Sequence, residues 1–191
     1  MIRRILALAA CAAAISGCAT TAVQHTPLAP YRDTVDVAGT LSVNYQKDGK
    51  PESITGKFEW QQTPGRVDVS LASPLGQTLA KISVTPESAT LIQADRAPRV
   101  AKDLETLTRD ALGWSLPVSG LRDWLQGYAT GADGQRFIAS PANSEVVTKD
   151  GWRLRFVTWQ DGAVAQPKRI DANRNVNGDE LAIRIVVRAA E

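Results

Sequence analysis

Histidine and cysteine are almost absent from this chain of 191 residues, which contains one His and two Cys. His25 lies in a stretch without hydrophobic periodicity, so we expect neither a histidine-dependent catalytic triad nor a histidine-rich metal site. Cys11 and Cys18 both lie near the N-terminus, in a region that predicts processing and not disulfide formation. The sequence therefore predicts no catalytic residue, no metal ligand and no cofactor.

Net charge is also lacking once the N-terminal segment is set aside. The chain has 22 Lys and Arg against 20 Asp and Glu, and the excess of two corresponds to Arg3 and Arg4 of that segment. A protein that binds nucleic acid needs a basic patch or stripe. The even balance of the remaining chain gives no electrostatic case for a nucleic-acid partner.

Common enzyme motifs are missing as well, including Gly-x-Ser-x-Gly, Ser-x-x-Lys, Gly-x-Gly-x-x-Gly and Walker-type loops. The run Asp171-x-Asn173-x-Asn175 begins like an EF-hand loop, but Val176 and Ala182 replace the required glycine and glutamate. Pairs of acids remain an open alternative, because acids distant in sequence can meet in a fold. Since most acids alternate with apolar residues, as on the wet side of strands, we predict that the chain is not an enzyme.

The N-terminus has the order of features found in a bacterial lipoprotein signal. Residues 1–17 place two arginines before an apolar run that is shorter than the roughly 20 residues of a transmembrane helix. Gly17 then precedes Cys18, as in a lipobox, in which the cysteine becomes the lipidated first residue of the mature protein. An ordinary secretory signal with a chance cysteine is the alternative.

Two further segments follow the predicted signal. Residues 18–34 are rich in Thr and Pro and lack an apolar period, which predicts a lipid-anchored tether. Residues 19–34 of this tether would span at most about 50 Å when fully extended. Residues 35–191 predict a single domain, without an internal repeat.

Hydrophobic residues of the domain mostly alternate with polar ones, which is typical of antiparallel strands with one wet and one apolar side. Dipeptides that favour tight hairpins separate these runs at Asp48-Gly49, Asp150-Gly151, Asp161-Gly162 and Asn177-Gly178. The sequence therefore predicts a mainly β domain, built as an antiparallel meander. Residues 128–142 show no clear pattern.

Two short helices are predicted to interrupt the strands. Asp103 is a candidate N-cap for a helix that runs to Gly113, and Pro117 separates it from a second helix. Ser119 is the candidate N-cap of the second helix, and Gly127 is its candidate stop.

The second helix carries an apolar face. Leu121, Trp124 and Leu125 recur at i, i+3 and i+4, which places their side chains together. This pattern fits either a helix that packs into the core or a lid over an apolar cavity.

The connection at Ser73-Pro74-Leu75-Gly76 is unusual because Pro and Gly force a turn with a leucine near its tip. Leu75 could pack back on the sheet, as most such residues do. If it points outward instead, it forms an apolar finger that suits contact with lipid.

With these residues in view, the chain resembles the LolB family of outer-membrane lipoprotein receptors. The resemblance covers most of the predicted domain, and its order and spacing are more specific than any one fragment. It is carried by Cys18, Phe-Glu-Trp-Gln-Gln at 58–62, Ser-Pro-Leu-Gly-Gln at 73–77, Leu-Gly-Trp-Ser-Leu-Pro-Val at 112–118 and Leu-Arg-Asp-Trp-Leu-Gln-Gly at 121–127.

The resemblance implies an incomplete antiparallel β-barrel, that is, a curved meander sheet, with short helices covering an apolar cavity for acyl chains. It also implies that Pro74, Leu75 and Gly76 form a membrane-insertion loop. The residues expected to line or cover the cavity are Phe58, Trp60, Leu71, Trp114, Leu121, Trp124 and Leu125.

As a member of such a family, the protein would accept lipoproteins from the periplasmic carrier LolA and insert them into the outer membrane. Its expected partners are LolA, lipoprotein acyl chains and outer-membrane lipid. We expect a monomer that is anchored by Cys18 on the periplasmic side of the outer membrane. The alternatives are a lipid- or glycolipid-binding envelope lipoprotein of similar half-barrel shape, and a lipid-anchored envelope hydrolase.

Overall fold

The structure is a computed structural model, and it describes residues 26–47, 49–94, 96–112, 117–176 and 178–188. Strands dominate this part of the chain, and two short helices interrupt them after the sixth strand. The elements are β1 (Val35–Lys47), β2 (Lys50–Thr63), β3 (Arg66–Ala72), β4 (Thr78–Val84), β5 (Ala89–Gln93), β6 (Arg99–Ala101), α1 (Leu104–Leu112), α2 (Val118–Trp124), β7 (Tyr128–Thr130), β8 (Arg136–Ile138), β9 (Glu145–Val147), β10 (Arg153–Trp159), β11 (Pro167–Val176) and β12 (Asp179–Val187).

Ten of these strands form one antiparallel sheet in the order β6-β5-β4-β3-β2-β1-β12-β11-β10-β9. Each half of the sheet is a meander of local hairpins, and the halves join where β1 pairs with β12. The sheet stays open, because β6 and β9 lie at its two edges and do not pair with each other. The prediction of an incomplete antiparallel barrel is confirmed.

One face of the sheet is apolar because the strands alternate as the sequence predicted. In β2, Phe58 and Trp60 are buried, whereas Lys57, Glu59 and Gln61 are exposed. The apolar side chains of β12 face the same core as those of β2, and they join the buried side chains of both helices. Burial of this face drives the sheet to curve around its helices.

The first helix begins where the sequence predicted. The Asp103 carboxylate accepts a hydrogen bond of 2.7 Å from the backbone N–H of Thr106, as an N-cap does. This bond and the Thr106 hydroxyl lower the pKa of Asp103. Leu104 and Leu107 point into the core.

The predicted N-cap of the second helix is wrong. Pro117 occupies the cap position, and no side chain caps the helix there. Ser119 lies inside α2 and donates a hydrogen bond of 3.0 Å to Glu105 of α1, which ties the two helices together. Gly127 ends the segment with a φ of 86°, and its N–H donates to the carbonyl of Trp124.

Three of the four predicted hairpin dipeptides lie in tight turns. Gly49, Gly151 and Gly178 have φ values of 71°, 79° and 95°, which favour glycine. Asp48 and Asn177 lie outside the described residues. The prediction for Asp161-Gly162 is wrong in form, because β10 and β11 pair only as far as Trp159 and Pro167 and a longer loop connects them.

Residues 27–32, here called the N-terminal strap, pack against the domain, although the sequence placed them in the tether. Leu28 forms a parallel bridge with Ala165, and the Ala29 N–H donates to the Ala165 carbonyl over 2.9 Å. The Tyr128 hydroxyl donates to the Ala29 carbonyl over 2.8 Å. The backbone of Arg32 exchanges two hydrogen bonds with the side-chain amide of Gln126, at 2.9 and 3.1 Å.

The segment without a sequence pattern forms the partner of this strap. Strands β7 and β8 pair as a separate two-stranded hairpin. The Arg136 guanidinium of β8 lies 4.5 Å from the ring centroid of Tyr128 and 5.1 Å from that of Tyr31. Cation–π attraction therefore holds the strap to the hairpin.

Candidate functional site

A small apolar pocket lies between the end of α2 and the apolar face of the sheet, and we call it the α2 pocket. Its volume is about 30 Å³, which is close to the share of one water molecule in the liquid. The pocket is lined by Leu41, Phe58, Trp60, Val69, Leu71, Leu121, Leu125 and Ile185. Helix and sheet side chains therefore nearly fill the space in this conformation.

Five of the seven residues predicted for the cavity line this pocket. Phe58, Trp60 and Leu71 contribute from the sheet, and Leu121 and Leu125 contribute from the helical segment. Their role in binding stays a prediction, but the structure brings them together at one place.

The other two predicted residues differ. Trp124 is buried away from the pocket wall, and its ring meets Trp152 edge to face with centroids 5.7 Å apart. Trp114 lies outside the described residues.

Sequence reasoning missed Leu41, Val69 and Ile185 as pocket residues. Each stands at an apolar position of an alternating strand, so its orientation toward the helices followed from the pattern. Leu41 pairs with Ile185, and Val69 pairs with Trp60. These three residues line the pocket, and other apolar strand residues do not, because α2 lies over them.

A glycine inside α2 makes room for the tryptophan that holds the helix down. A Cβ atom at Gly120 would lie 2.5 Å from Cζ2 and 2.7 Å from Cε2 of Trp124. Glycine is unfavourable in a helix by about 1 kcal/mol relative to alanine. Glycine at position 120 is nevertheless favoured, because a larger residue would displace the Trp124 ring from its contact with Trp152.

A second, larger space opens beside the α2 pocket, at the end of the sheet where β1 begins. This rim groove has a volume of about 650 Å³ and lies between the N-terminal strap, the loop after β10 and the end of α2. Apolar side chains line part of it, and Arg32, Arg188 and Gln166 give it a polar edge.

The turn between β3 and β4 presents Leu75 to solvent. The Gly76 N–H donates to the Ser73 carbonyl over 2.9 Å, and the Ser73 N–H donates to the Gln77 carbonyl over 2.8 Å. Pro74 and Gly76, with its φ of 91°, suit the backbone of this turn. Leu75 is 97% exposed, so its side chain does not pack back on the sheet.

The turn that carries this exposed tip begins close to the α2 pocket. Leu71 lines the pocket, and the turn begins two residues later at Ser73. The rim groove lies toward β11 and β12, and its residue Val187 is level with Phe58 and Leu71 of the pocket across the paired strands. Across the apolar face, the order is therefore groove, pocket and the turn that carries the tip.

A polar cluster borders the apolar face near the strap. Gln62 is 1% exposed and accepts a hydrogen bond of 3.2 Å from the Trp60 indole. Burial and the nearby Asp123 raise the pKa of Tyr31, whereas Gln62 and Arg122 oppose this shift. The Tyr31 hydroxyl therefore stays neutral and can donate a hydrogen bond at neutral pH.

The EF-hand-like run lies in a strand. Asp171 of β11 accepts hydrogen bonds from Arg169 at 2.7 and 3.0 Å and from Arg184 at 3.2 Å. Burial raises the pKa of Asp171, but the two guanidinium groups lower it by more. Across the described ranges, no group of three or more His, Cys, Asp or Glu side chains could hold a metal ion.

These features define a mainly β half-barrel whose apolar face is covered by short helices and whose rim carries an exposed apolar tip. In the described part of the chain, neither helix has the length and hydrophobicity needed to cross a membrane.

The family model described as outer membrane lipoprotein LolB matches residues 33–189. The outer-membrane lipoprotein LolB of Cupriavidus necator is 41% identical over 150 residues, which cover 78% of this chain and 76% of the relative. That of Chromobacterium violaceum is 35% identical, with 99% of each chain covered. The chain therefore belongs to the LolB family of outer-membrane lipoproteins.

The crystal structure of a LolA superfamily protein from Nitrosomonas europaea aligns with 86% of this chain and 90% of its own, at 8% identity and a TM-score of 0.44.

Proposed function

We propose that this protein accepts lipoproteins from the periplasmic carrier LolA and inserts them into the outer membrane. The acyl chains of the cargo occupy the apolar face beneath α2, and Cys18 carries the lipid anchor. Leu75 contacts the acceptor membrane during release. The protein acts as a monomer and without catalysis, since the step needs transfer and no bond change.

The energetic reason for such a receptor is the cost of apolar chains in water. Each CH₂ group costs about 0.8 kcal/mol, so one chain of 16 carbons costs roughly 13 kcal/mol. Transfer from one apolar site to another, and then to a bilayer, keeps the chains dry. A shallow gradient of affinity is then sufficient, and no nucleotide hydrolysis is required at this step.

The observation that carries the proposal is the combination of a covered apolar face with an exposed apolar tip on the turn that follows β3, the strand that supplies Leu71 to the pocket. Leu75 is 97% exposed, although full burial of a leucine side chain is worth about 1.5–3 kcal/mol. A rigid turn holds it in this position by backbone hydrogen bonds. A membrane surface is the partner that suits such a tip on a lipid-anchored protein.

The proposal requires α2 to move when cargo binds. The α2 pocket holds about 30 Å³, which is too little for an acyl chain. Leu121 and Leu125 fill the space, so displacement of the helical segment would exchange their contacts for contacts with acyl chains. The apolar surface is then covered in both states, which keeps the cost of opening low.

The experiment that tests this function mixes LolA carrying a labelled lipoprotein with the mature chain in which Cys18→Ala removes the anchor. We expect the label to move to this protein in solution, as separated by size or by affinity tag. If the protein is folded, the donor is active and no label moves, the receptor function is wrong. Binding of free lipid in that case would identify a lipid-binding envelope protein instead.

A further inference from the structure

The rim groove and the α2 pocket share one side chain as a common wall. Leu125, which caps the C-terminal end of α2, lines both the 650 Å³ groove and the 30 Å³ pocket. Leu121, one turn earlier on the same helix, lines only the pocket. The two spaces are therefore neighbours across Leu125.

The two spaces also share a floor on the sheet. On β12, Val187 lines the groove and Ile185 lines the pocket, and both are buried on the same face. Successive residues on one face of a strand are about 7 Å apart. The floor therefore continues from groove to pocket within one step along the strand.

Strand β1 repeats this arrangement. Val37 lines the groove, Leu41 lines the pocket, and Gly39 stands between them on the same face. A Cβ atom at Gly39 would clash with the Val186 carbonyl oxygen and would lie 2.9 Å from Cε1 of Phe58. Leu125 forms the boundary between the spaces from the helix side, and Phe58 lies on the pocket side of it, beside Gly39.

The outer edge of the groove has a different chemistry. Arg32, Asp36 and Arg188 are its charged lining residues, all three are exposed, and a guanidinium group only donates hydrogen bonds. The ester and amide carbonyls at the head of an acylated lipid only accept hydrogen bonds. A groove that has donors at its edge and apolar residues inside matches an acyl chain with its carbonyl end outward.

We propose that the rim groove is the entrance by which an acyl chain reaches the apolar face, with Leu125 as the gate and the two arginines holding the carbonyl end. This inference rests on the proposed function, because it assumes that acyl chains bind beneath α2. A chain would enter beside the N-terminal strap, pass Leu125, and extend beneath α2 toward β3, the strand that leads into the Leu75 turn.

The test measures the association rate of a fluorescent long-chain acyl ester with the mature chain carrying Cys18→Ala, by stopped flow. Leu125→Ala opens the boundary, whereas the matched control Leu121→Ala enlarges only the pocket. Both remove a buried leucine from the same helical segment, so their losses of stability are comparable. We expect the rate to rise about tenfold for Leu125→Ala, equivalent to ~1.4 kcal/mol, and to rise by a clearly smaller factor for Leu121→Ala, which frees space in the pocket but leaves the boundary closed.

A second pair of variants keeps the test valid if the leucine variants fold poorly. Thr34 is exposed and lines the groove, so Thr34→Trp obstructs the groove without disturbing the core. Thr40→Trp places the same side chain on an exposed position of β1 that lines neither the groove nor the pocket. We expect Thr34→Trp to slow association about tenfold and Thr40→Trp to leave it unchanged.

The outcomes separate the two proposals. If the unsubstituted protein binds no acyl ester at equilibrium, the proposed function fails. If it binds the ester but Thr34→Trp associates at the normal rate, or folded Leu125→Ala and Leu121→Ala change the rate equally, the entrance is wrong and the function stands.

Discussion

The role of Leu75 in membrane contact leads to the sharpest prediction. Its side chain is 97% exposed and the turn is held by backbone bonds and the Ser73 hydroxyl, so Leu75→Ala or Leu75→Glu removes no packing. The free energy of unfolding should change by less than about 0.5 kcal/mol. Transfer of labelled cargo from LolA to either variant should also stay normal.

Membrane affinity should change strongly, because the exposed side chain is available to lipid. Leu75→Ala removes three carbon atoms, each worth about 0.8 kcal/mol when buried. If the tip enters the apolar layer fully, the loss is about 2 kcal/mol, or about thirtyfold in affinity. Leu75→Glu adds the cost of bringing a charge into the layer and should abolish delivery of cargo.

The assay is cosedimentation of the mature chain carrying Cys18→Ala with lipid vesicles, followed by release of labelled lipoprotein into the same vesicles. Ile138→Glu is a matched control, since Ile138 is a 53% exposed hydrophobic residue on the separate β7–β8 hairpin. Vesicle binding by Leu75→Ala at the normal affinity, or an equal loss for Ile138→Glu, would refute the reasoning.

Three further predictions concern stability. Gly120→Ala should lower the urea midpoint although alanine has the better helix propensity, because displacing Trp124 costs about 1–3 kcal/mol. A higher midpoint would show that the Trp124 ring does not restrict residue 120. Asp171→Asn should cost up to about 1 kcal/mol at neutral pH. The pKa of Asp171 in the folded protein lies below its ordinary value. Its contribution to stability is therefore complete above that ordinary value and disappears as the pH falls through the folded pKa. If the urea midpoints of the unsubstituted protein and Asp171→Asn differ equally at all pH values, this reasoning is wrong. Tyr128→Phe removes the hydrogen bond from the Tyr128 hydroxyl to the Ala29 carbonyl. Amide hydrogen exchange at Ala29, whose N–H bonds to Ala165, should then be faster. Unchanged exchange would mean that the Tyr128 bond does not hold the strap.

Local patterns in the sequence predicted most individual elements. Alternation placed Phe58 and Trp60 on the buried face and Lys57 and Glu59 on the exposed face, because side chains of a strand point to opposite sides whatever lies beyond them. Asp103 predicted the start of α1 for a similarly local reason, since an N-cap bonds to its own helix.

Local patterns failed where a more distant contact decided the structure. Ser119 looked like an N-cap, but its hydroxyl bonds to Glu105 of the other helix. The N-terminal strap looked like a free tether because its partners, such as Ala165 and Tyr128, lie far away in sequence. The separation between such residues leaves no periodic signal in the chain.

The sequence by itself determined which side chains are apolar, which face of each strand they occupy, and where most of the tight turns fall, because these depend on neighbours along the chain. Tertiary structure alone decided the pairing of β1 with β12 and the closure of the pocket by Leu121 and Leu125. These depend on contacts between segments whose separation must be overcome by burial of the common core.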